Sequence, residues 1–335
     1  MDMTKWVVDV IAADRKKAIP VLSFPAVQKM GITVRELISD AKKQAEAMRV
    51  VAESTDSGAS VSFMDLSVEA EAFGSKIIVT DDEVPTVVDA LIDEDTDLDD
   101  IIVPRVGDGR TGLYLEAMKT AASEIVDRPV LAGVIGPFSL AGRLMDVNEV
   151  MVLCYEEPEL VHGVLEKATE FTAEYAKAFK ESGADGVVMA EPLAGLLPPD
   201  LLSEFSTPYV ARVVEAVQDD EFVLVYHNCG GSVVKAIDEV IATGARAFHF
   251  GNVIDMKDIL PLVPEDCLVM GNVDPAGEIR NGTPESVRAK TLEIMSEGCF
   301  YPNFVISTGC DVPPMSPWEN INAFFSAVEE FYADR

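Results

Sequence analysis

Short apolar runs alternate with amphipathic stretches along almost the whole of this 335-residue chain. Eight of the runs are rich in Val, Ile and Phe and nearly continuous in hydrophobicity, which is typical of parallel strands buried on both faces. Parallel neighbours need long crossover connections, so the stretches between them predict helices. We therefore predict eight strands, over 19–24, 59–64, 130–135, 186–190, 222–226, 246–250, 267–272 and 303–308.

The intervening helical patterns decide between two architectures. Eight strands with helices between them favour an α/β fold, a (β/α)8 TIM barrel, which commonly needs about 250 residues. The surplus would form an N-terminal helical extension (about 3–17) and an insertion between strands two and three (67–128). A doubly wound open sheet is the alternative, but no glycine-rich turn follows Phe24. We expect a single domain over 1–335, with further helices over 34–52, 160–182, 199–217, 233–243, 284–296 and 317–332.

The charge of the chain excludes several kinds of partner. It has 26 Lys and Arg against 58 Asp and Glu, a formal net charge of −32. Such a field repels nucleic acids and anionic membrane surfaces, so we expect neither as a partner. No apolar stretch reaches the roughly 18 residues of a membrane span. Five widely spaced cysteines suit a reducing cytoplasm, where we place the protein. The acidic run at 93–100 should be a solvated surface loop.

Two cysteines and a histidine follow two of the predicted strands. His227 and Cys229 come directly after strand five, and Cys310 follows strand eight. In a barrel the carboxyl ends of the strands meet at one face, where chemistry takes place. One imidazole and two thiolates are a known ligand set for catalytic zinc, with a fourth position open. Taken alone, the three residues leave two hypotheses, a zinc site and buried packing.

Six segments of the chain carry a resemblance to a known family. They are MDLSVEAEAFG (64–74), GPFSLAGRLM (136–145), HNCGG (227–231), GNVDP (271–275), NGTPESV (281–287) and STGCDVPP (307–314). Through them the chain is similar to the uroporphyrinogen decarboxylase superfamily, and within it to the zinc-dependent methylcobamide:coenzyme M methyltransferases. The resemblance covers essentially the whole chain and implies Zn²⁺ held by His227, Cys229 and Cys310.

The resemblance implies methyl transfer from a methylcobamide, a corrinoid presented by a carrier protein, to a zinc-activated thiol such as coenzyme M. Another small-molecule methyl acceptor, such as tetrahydrofolate, would use the same barrel. A decarboxylase of a polycarboxylate tetrapyrrole is a further alternative. It is disfavoured because the segment 20–31 has no Arg and the chain has only 12. A sulfonate would need a cation, for which Arg105, Arg110 and Arg143 are the candidates.

Other polar residues and glycines lie at the predicted strand ends. Glu191 could be a fourth zinc ligand or a proton acceptor, and a capping carboxylate is the alternative. Asp65 could orient a ligand, or make a structural hydrogen bond. We predict Glu191 and Asp65 as catalytic residues. For His249 there are two interpretations, a binding residue and a core histidine whose hydrogen bonds are satisfied. The predicted substrate- and corrinoid-binding residues are Asn252, Asp274, Gly230 and His249.

Overall fold

The computed structural model describes residues 1–333 and contains a curled parallel sheet of seven strands. The order in the sheet is β1-β4-β5-β6-β7-β8-β9, and every neighbouring pair is parallel. This confirms the α/β class and the TIM-barrel type of sheet. The strands are β1 Ser60–Val61, β4 Val130–Ile135, β5 Gly186–Ala190, β6 Val223–Asn228, β7 Ala247–Phe250, β8 Leu268–Val273 and β9 Phe304–Thr308, and a separate antiparallel hairpin is formed by β2 Lys76–Ile78 and β3 Thr86–Val88.

The first predicted strand, 19–24, is wrong as a strand. Its residues run extended between β9 and β1 but make only isolated hydrogen bonds, such as Ile19 N to Ile306 O at 3.1 Å. Pro20 has no N–H group, so a regular ladder is interrupted at that position. Ile19 and Val21 are nevertheless buried with β1 and β9 side chains. The eighth position of the barrel is therefore filled by packing rather than by a hydrogen-bonded strand.

Helices pack around the outside of the sheet. They bury one large apolar layer against the outer face of the strands, and a second, smaller cluster fills the interior. None of the helices in residues 1–333 is long and apolar enough to span a membrane. The helices are α1 Met3–Ala12, α2 Ala26–Met30, α3 Val34–Ile38, α4 Ala41–Ser54, α5 Val68–Phe73, α6 Thr111–Glu124, α7 Pro137–Met145, α8 Val147–Glu156, α9 Pro158–Glu181, α10 Pro199–Phe205, α11 Thr207–Val217, α12 Ile237–Ile241, α13 Met256–Ile259, α14 Pro284–Gly298 and α15 Trp318–Ala333.

Two helices predicted as continuous are each divided in two. The stretch 34–52 breaks before α4, where the Asp40 side chain accepts hydrogen bonds from the amides of Lys42 (2.8 Å) and Lys43 (3.2 Å). An N-terminal cap of this kind satisfies amides that would otherwise lack partners, so it begins a new helix. The stretch 199–217 breaks at Ser206, just before Pro208, which cannot donate to the preceding turn.

The N-terminal helical extension and the insertion both form as predicted. The insertion also contains helices and a hairpin that the sequence did not predict. Helix α1 buries Met3 and Val7 in the interior cluster, so it closes one end of the barrel. The insertion contains α5, the β2–β3 hairpin and α6. All six acidic side chains of the 93–100 run are exposed, as expected, while Ile92 beside them is buried.

Gly186 tests how closely the strands of the barrel pack. A Cβ atom there would lie 2.4 Å from the carbonyl oxygen of Val223, and backbone cannot move away easily. We expect Gly186→Ala to lower the free energy of unfolding by about 1–3 kcal/mol in urea titrations. The control is Gly231→Ala, because nothing lies within 4 Å of a Cβ atom there. Equal losses in the two variants would contradict this explanation.

Candidate functional site

The predicted metal ligands lie together at the carboxyl ends of β6 and β9. Strand β6 extends to Asn228, so His227 is its penultimate residue rather than the first residue after it. The thiols of Cys229 and Cys310 hydrogen-bond to each other, and the Cys310 thiol also interacts with the ring of His227. The sequence prediction that these three residues converge therefore agrees with their positions.

The two thiols differ in acidity because of this contact. The hydrogen bond with Cys310 lowers the pKa of Cys229. The same hydrogen bond, followed by burial, raises the pKa of Cys310 to about 12, and His227 opposes part of that shift. Cys229 is therefore the thiol of the pair that loses its proton more readily.

Glycines allow the strand-end loops to approach one another. A Cβ atom at Gly251, just after β7, would lie 2.3 Å from the Cβ of Cys229. A Cβ atom at Gly309, just before Cys310, would lie 2.6 Å from the amide nitrogen of Asn252. The β7 loop is therefore held between the loops that carry the two cysteines. Any larger residue at 251 or 309 would push those loops apart.

The site is not a ready-made coordination shell. Within residues 1–333, no three His, Cys, Asp or Glu side chains are grouped closely enough to hold a metal ion. The chemistry of the set nevertheless fits zinc, because two sulfur donors and an imidazole match its preferred ligands. The two thiols are hydrogen-bonded to each other, and loss of the hydrogen between them would leave both sulfurs able to bind a metal ion.

A buried chain of hydrogen bonds leads away from His227. Its Nδ1 atom lies 2.7 Å from Nδ1 of His249 and 3.2 Å from the carbonyl oxygen of His249. Nε2 of His249 lies 2.8 Å from the hydroxyl of Ser307, which donates to the carbonyl of Ile19 at 2.7 Å. Burial lowers the pKa of His249 well below its ordinary value, and His227 adds to that effect. His249 is inside the barrel wall rather than on its surface, so substrate binding by it stays a prediction.

Glu191 follows β5 and is fully buried. Its carboxylate accepts from the amides of Phe138 and Ser139, both at 2.9 Å, and from the Ser139 hydroxyl at 2.6 Å. These donors form the first turn of α7, so the carboxylate caps that helix. A Cβ atom at Gly136 would lie 2.3 Å from Glu191 Cγ, which explains the glycine. Burial raises the pKa of Glu191 to about 7 against these hydrogen bonds.

Asp65 follows β1 at the centre of a buried polar network. One carboxylate oxygen accepts from the amide and hydroxyl of Ser67, and the other from Arg110 and the hydroxyl of Tyr114. Arg110 also donates to Glu71 at 2.6 Å. The network joins the β1 loop to α5 and α6 of the insertion. This geometry matches the structural alternative considered for Asp65, and its catalytic role stays a prediction.

Of the remaining predicted residues, Gly230 directly follows Cys229, and Asn252 packs against Gly309, the residue before Cys310. Asn252 and Asp274 line one cavity of about 360 Å³ together with Lys257 and Lys290. The Asp274 side chain accepts from two amides of the π-helical turn Pro275–Arg280. The backbone of Gly230 packs on the backbone of Gly195, and a Cβ atom at Gly230 would lie 2.3 Å from the carbonyl oxygen of Gly195. Their roles in substrate binding stay predictions.

Two buried asparagines that sequence reasoning missed hold the strand-end loops. The Asn228 side chain donates to the carbonyl of Glu191 at 2.9 Å and accepts from the amide of Gly230 at 2.9 Å. Asn272 on β8 donates to the carbonyls of Gly251 (2.9 Å) and Ile254 (2.6 Å). The sequence could have indicated both residues, because each is a polar side chain in an otherwise apolar strand. Ser307 on β9 is a third residue of this kind.

Comparisons with known proteins agree with this description. A family model described as uroporphyrinogen decarboxylase (URO-D) matches residues 16–331. The methylcobamide:CoM methyltransferase MtbA of Methanosarcina acetivorans is 27% identical over 271 residues, covering 80% of this chain and 78% of that protein. A uroporphyrinogen decarboxylase of Prochlorococcus marinus is 27% identical over 222 residues, covering 63% and 61%.

Solved structures show the same fold. A methyltransferase from Methanosarcina mazei covers 99% of each chain with a TM-score of 0.85 and 24% identity. A B12-independent methionine synthase from Shewanella covers 96% of each chain with a TM-score of 0.62 and 14% identity. Because the family model extends over almost the entire sequence, the chain belongs to the uroporphyrinogen decarboxylase (URO-D) family.

Proposed function

We propose that the protein is a zinc-dependent methyltransferase that moves a methyl group from a corrinoid, presented by a carrier protein, to a thiol such as coenzyme M. One observation carries the proposal: the thiol of Cys310 contacts both the thiol of Cys229 and the ring of His227 at the end of the barrel. The similarity to methylcobamide:CoM methyltransferases supports the same reaction.

His227, Cys229 and Cys310 would hold the metal. Two thiolates cancel the charge of Zn²⁺, which leaves a neutral site in a chain that is already strongly acidic. When bound, zinc would lower the pKa of an incoming thiol so that it reacts as a thiolate. The chain itself would orient that thiol, exclude water by the close approach of the β6, β7 and β9 loops, and offer its barrel mouth to the carrier protein.

Glu191 and Asp65 support the site through their contacts. Glu191 joins the end of β5 to the start of α7, and Asp65 joins the end of β1 to the insertion. Because the carboxylate oxygens of both already accept hydrogen bonds, we propose that they position the loops around the mouth. Proton acceptance or zinc ligation by Glu191, and orientation of a ligand by Asp65, stay predictions.

Arg143 is the best candidate for the anionic end of an acceptor. Arg110 is already paired with Asp65 and Glu71. Arg143 lies on α7 one turn beyond Ser139, and burial lowers its pKa. Among residues 1–333 its guanidinium has neither an ion pair nor a hydrogen bond. A half-buried cation without a partner favours an anionic ligand.

A decarboxylase remains the second candidate, since relatives of that name are similarly identical. It would need several cations around a polycarboxylate. Arg110 is paired with Asp65 and Glu71, so one of the few arginines is not available to bind a carboxylate substrate. This disfavours the decarboxylase hypothesis. We also propose a cytoplasmic location, because Cys154, Cys229, Cys267 and Cys310 form no disulfide bond in the structure.

Metal analysis tests the ligand set. We expect untagged wild-type protein to bind about one zinc per chain, as a single three-residue site would. Cys310→Ala should lose most of it, because removing one sulfur leaves only two protein ligands. Cys154→Ala is the matched control, since this buried thiol is on α8 and outside the site. Equal zinc content in both variants would overturn the ligand assignment.

A spectroscopic assay tests the reaction and its acceptor. Zinc-loaded protein mixed with methylcobalamin should lose the methyl–cobalt spectrum when coenzyme M is added. Tetrahydrofolate in place of the thiol separates the two acceptor classes. Turnover only with the folate would contradict the thiol proposal, and carbon dioxide release from uroporphyrinogen without methyl transfer would favour the decarboxylase.

Arg143→Ala tests the recognition of the acceptor. The variant should raise KM for coenzyme M about tenfold, since a charged hydrogen bond contributes about 1.5–3 kcal/mol. Because 2-mercaptoethanol lacks the sulfonate, its KM should not change. An equal increase for both thiols would show that Arg143 does not recognise the anion.

A further inference from the structure

A chain of four groups runs from the proposed metal ligand into the barrel wall. His227, His249 and Ser307 are on β6, β7 and β9, and all three are buried. Their polar atoms are joined by distances of 2.7 Å (His227 Nδ1 to His249 Nδ1) and 2.8 Å (His249 Nε2 to Ser307 Oγ). The chain ends at the carbonyl of Ile19, 2.7 Å from the Ser307 hydroxyl.

The direction of every hydrogen bond in this chain follows from its carbonyl groups, which can only accept. The Ser307 hydroxyl has one hydrogen and gives it to Ile19. Its oxygen must therefore accept from Nε2 of His249, so that nitrogen carries hydrogen. A neutral imidazole then has only a lone pair on Nδ1, and His249 Nδ1 can only accept.

The contacts of His227 agree with this assignment. Nδ1 of His227 is 3.2 Å from the carbonyl oxygen of His249, which can only accept. It is also 2.7 Å from His249 Nδ1, which accepts when Nε2 of His249 carries the hydrogen. Both neighbours then require a hydrogen on Nδ1 of His227. In a neutral ring, Nε2 of His227 is then left with its lone pair. This nitrogen is the only one in that ring available to a metal ion.

We propose that His249 and Ser307 are positioning residues that hold His227 in the tautomer with hydrogen on Nδ1, so that Nε2 can ligate zinc. The inference rests on the proposed function, and it assigns roles to two residues that do not touch the metal themselves. Hydrogen-bond partners of metal-bound histidines fix ring orientation and tautomer, and removing them typically weakens metal binding about 10–100-fold.

Nitrogen-15 NMR of the zinc-free protein tests the tautomer directly. The polypeptide has three histidines, each with two ring nitrogens, so ¹⁵N-histidine labelling gives six ring signals. His162 is distinct, with Nδ1 2.7 Å from the Tyr209 hydroxyl, and H162Q removes its pair of signals. We expect hydrogen on Nδ1 of His227 and on Nε2 of His249. Hydrogen on Nε2 of His227 in the wild-type protein would overturn the inference, whether or not zinc binds.

Ser307→Ala tests the coupling to the metal. We expect its zinc dissociation constant, measured by competition with a chromophoric chelator, to rise about tenfold. Ser23→Ala is the matched control, because Ser23 is equally buried and donates to a carbonyl, that of Val61, without contacting either imidazole. We expect its zinc affinity to equal that of the wild type.

The outcomes separate this inference from the proposed function. If wild-type protein binds zinc and transfers methyl groups while Ser307→Ala binds zinc equally well, only the positioning role fails. If wild-type protein binds no zinc, the proposed function and the metal role of the tautomer fail together. The NMR arm, which uses wild-type protein, decides the tautomer even if Ser307→Ala does not fold.

Discussion

The close approach of the strand-end loops is the constraint on which the site depends. The β7 loop packs at Gly251 against Cys229 and at Asn252 against Gly309, at distances that leave no room for a side chain on either glycine. Gly230 and Gly195 make a similar backbone contact in the β5 and β6 loops. Because these contacts bring the loops after β6 and β9 together, two cysteines far apart in sequence can share a hydrogen bond.

Buried polar groups reinforce that packing. Burying a carboxylate or an imidazole is costly unless hydrogen bonds replace water, so each such group ties together the elements that supply its partners. Glu191 joins β5 to α7, Asn272 holds the β7 loop, and Ser307 connects His249 to the segment that fills the eighth position of the barrel. The irregular segment around Ile19 therefore contributes a carbonyl to the site although it is not a strand.

The errors in the sequence prediction have local physical causes. Segment 19–24 has the hydrophobicity of a strand, but Pro20 removes a ladder donor. Helices 34–52 and 199–217 keep their apolar periodicity across a break, because both halves bury the same face. Only the Asp40 cap and Pro208 reveal the breaks, and each is also compatible with other positions in a helix.

The sequence by itself determined the parallel α/β sheet and the family of the chain. It also predicted that His227, Cys229 and Cys310 would share one end of the barrel, because parallel strands present their carboxyl ends at the same face. Only the tertiary structure decided what surrounds them. The helix cap at Glu191, the Asp65 network and the His227–His249–Ser307 chain depend on which side chains face each other across neighbouring strands and loops. Such distances are set by packing among residues far apart in sequence, and no periodicity or spacing in the chain encodes them.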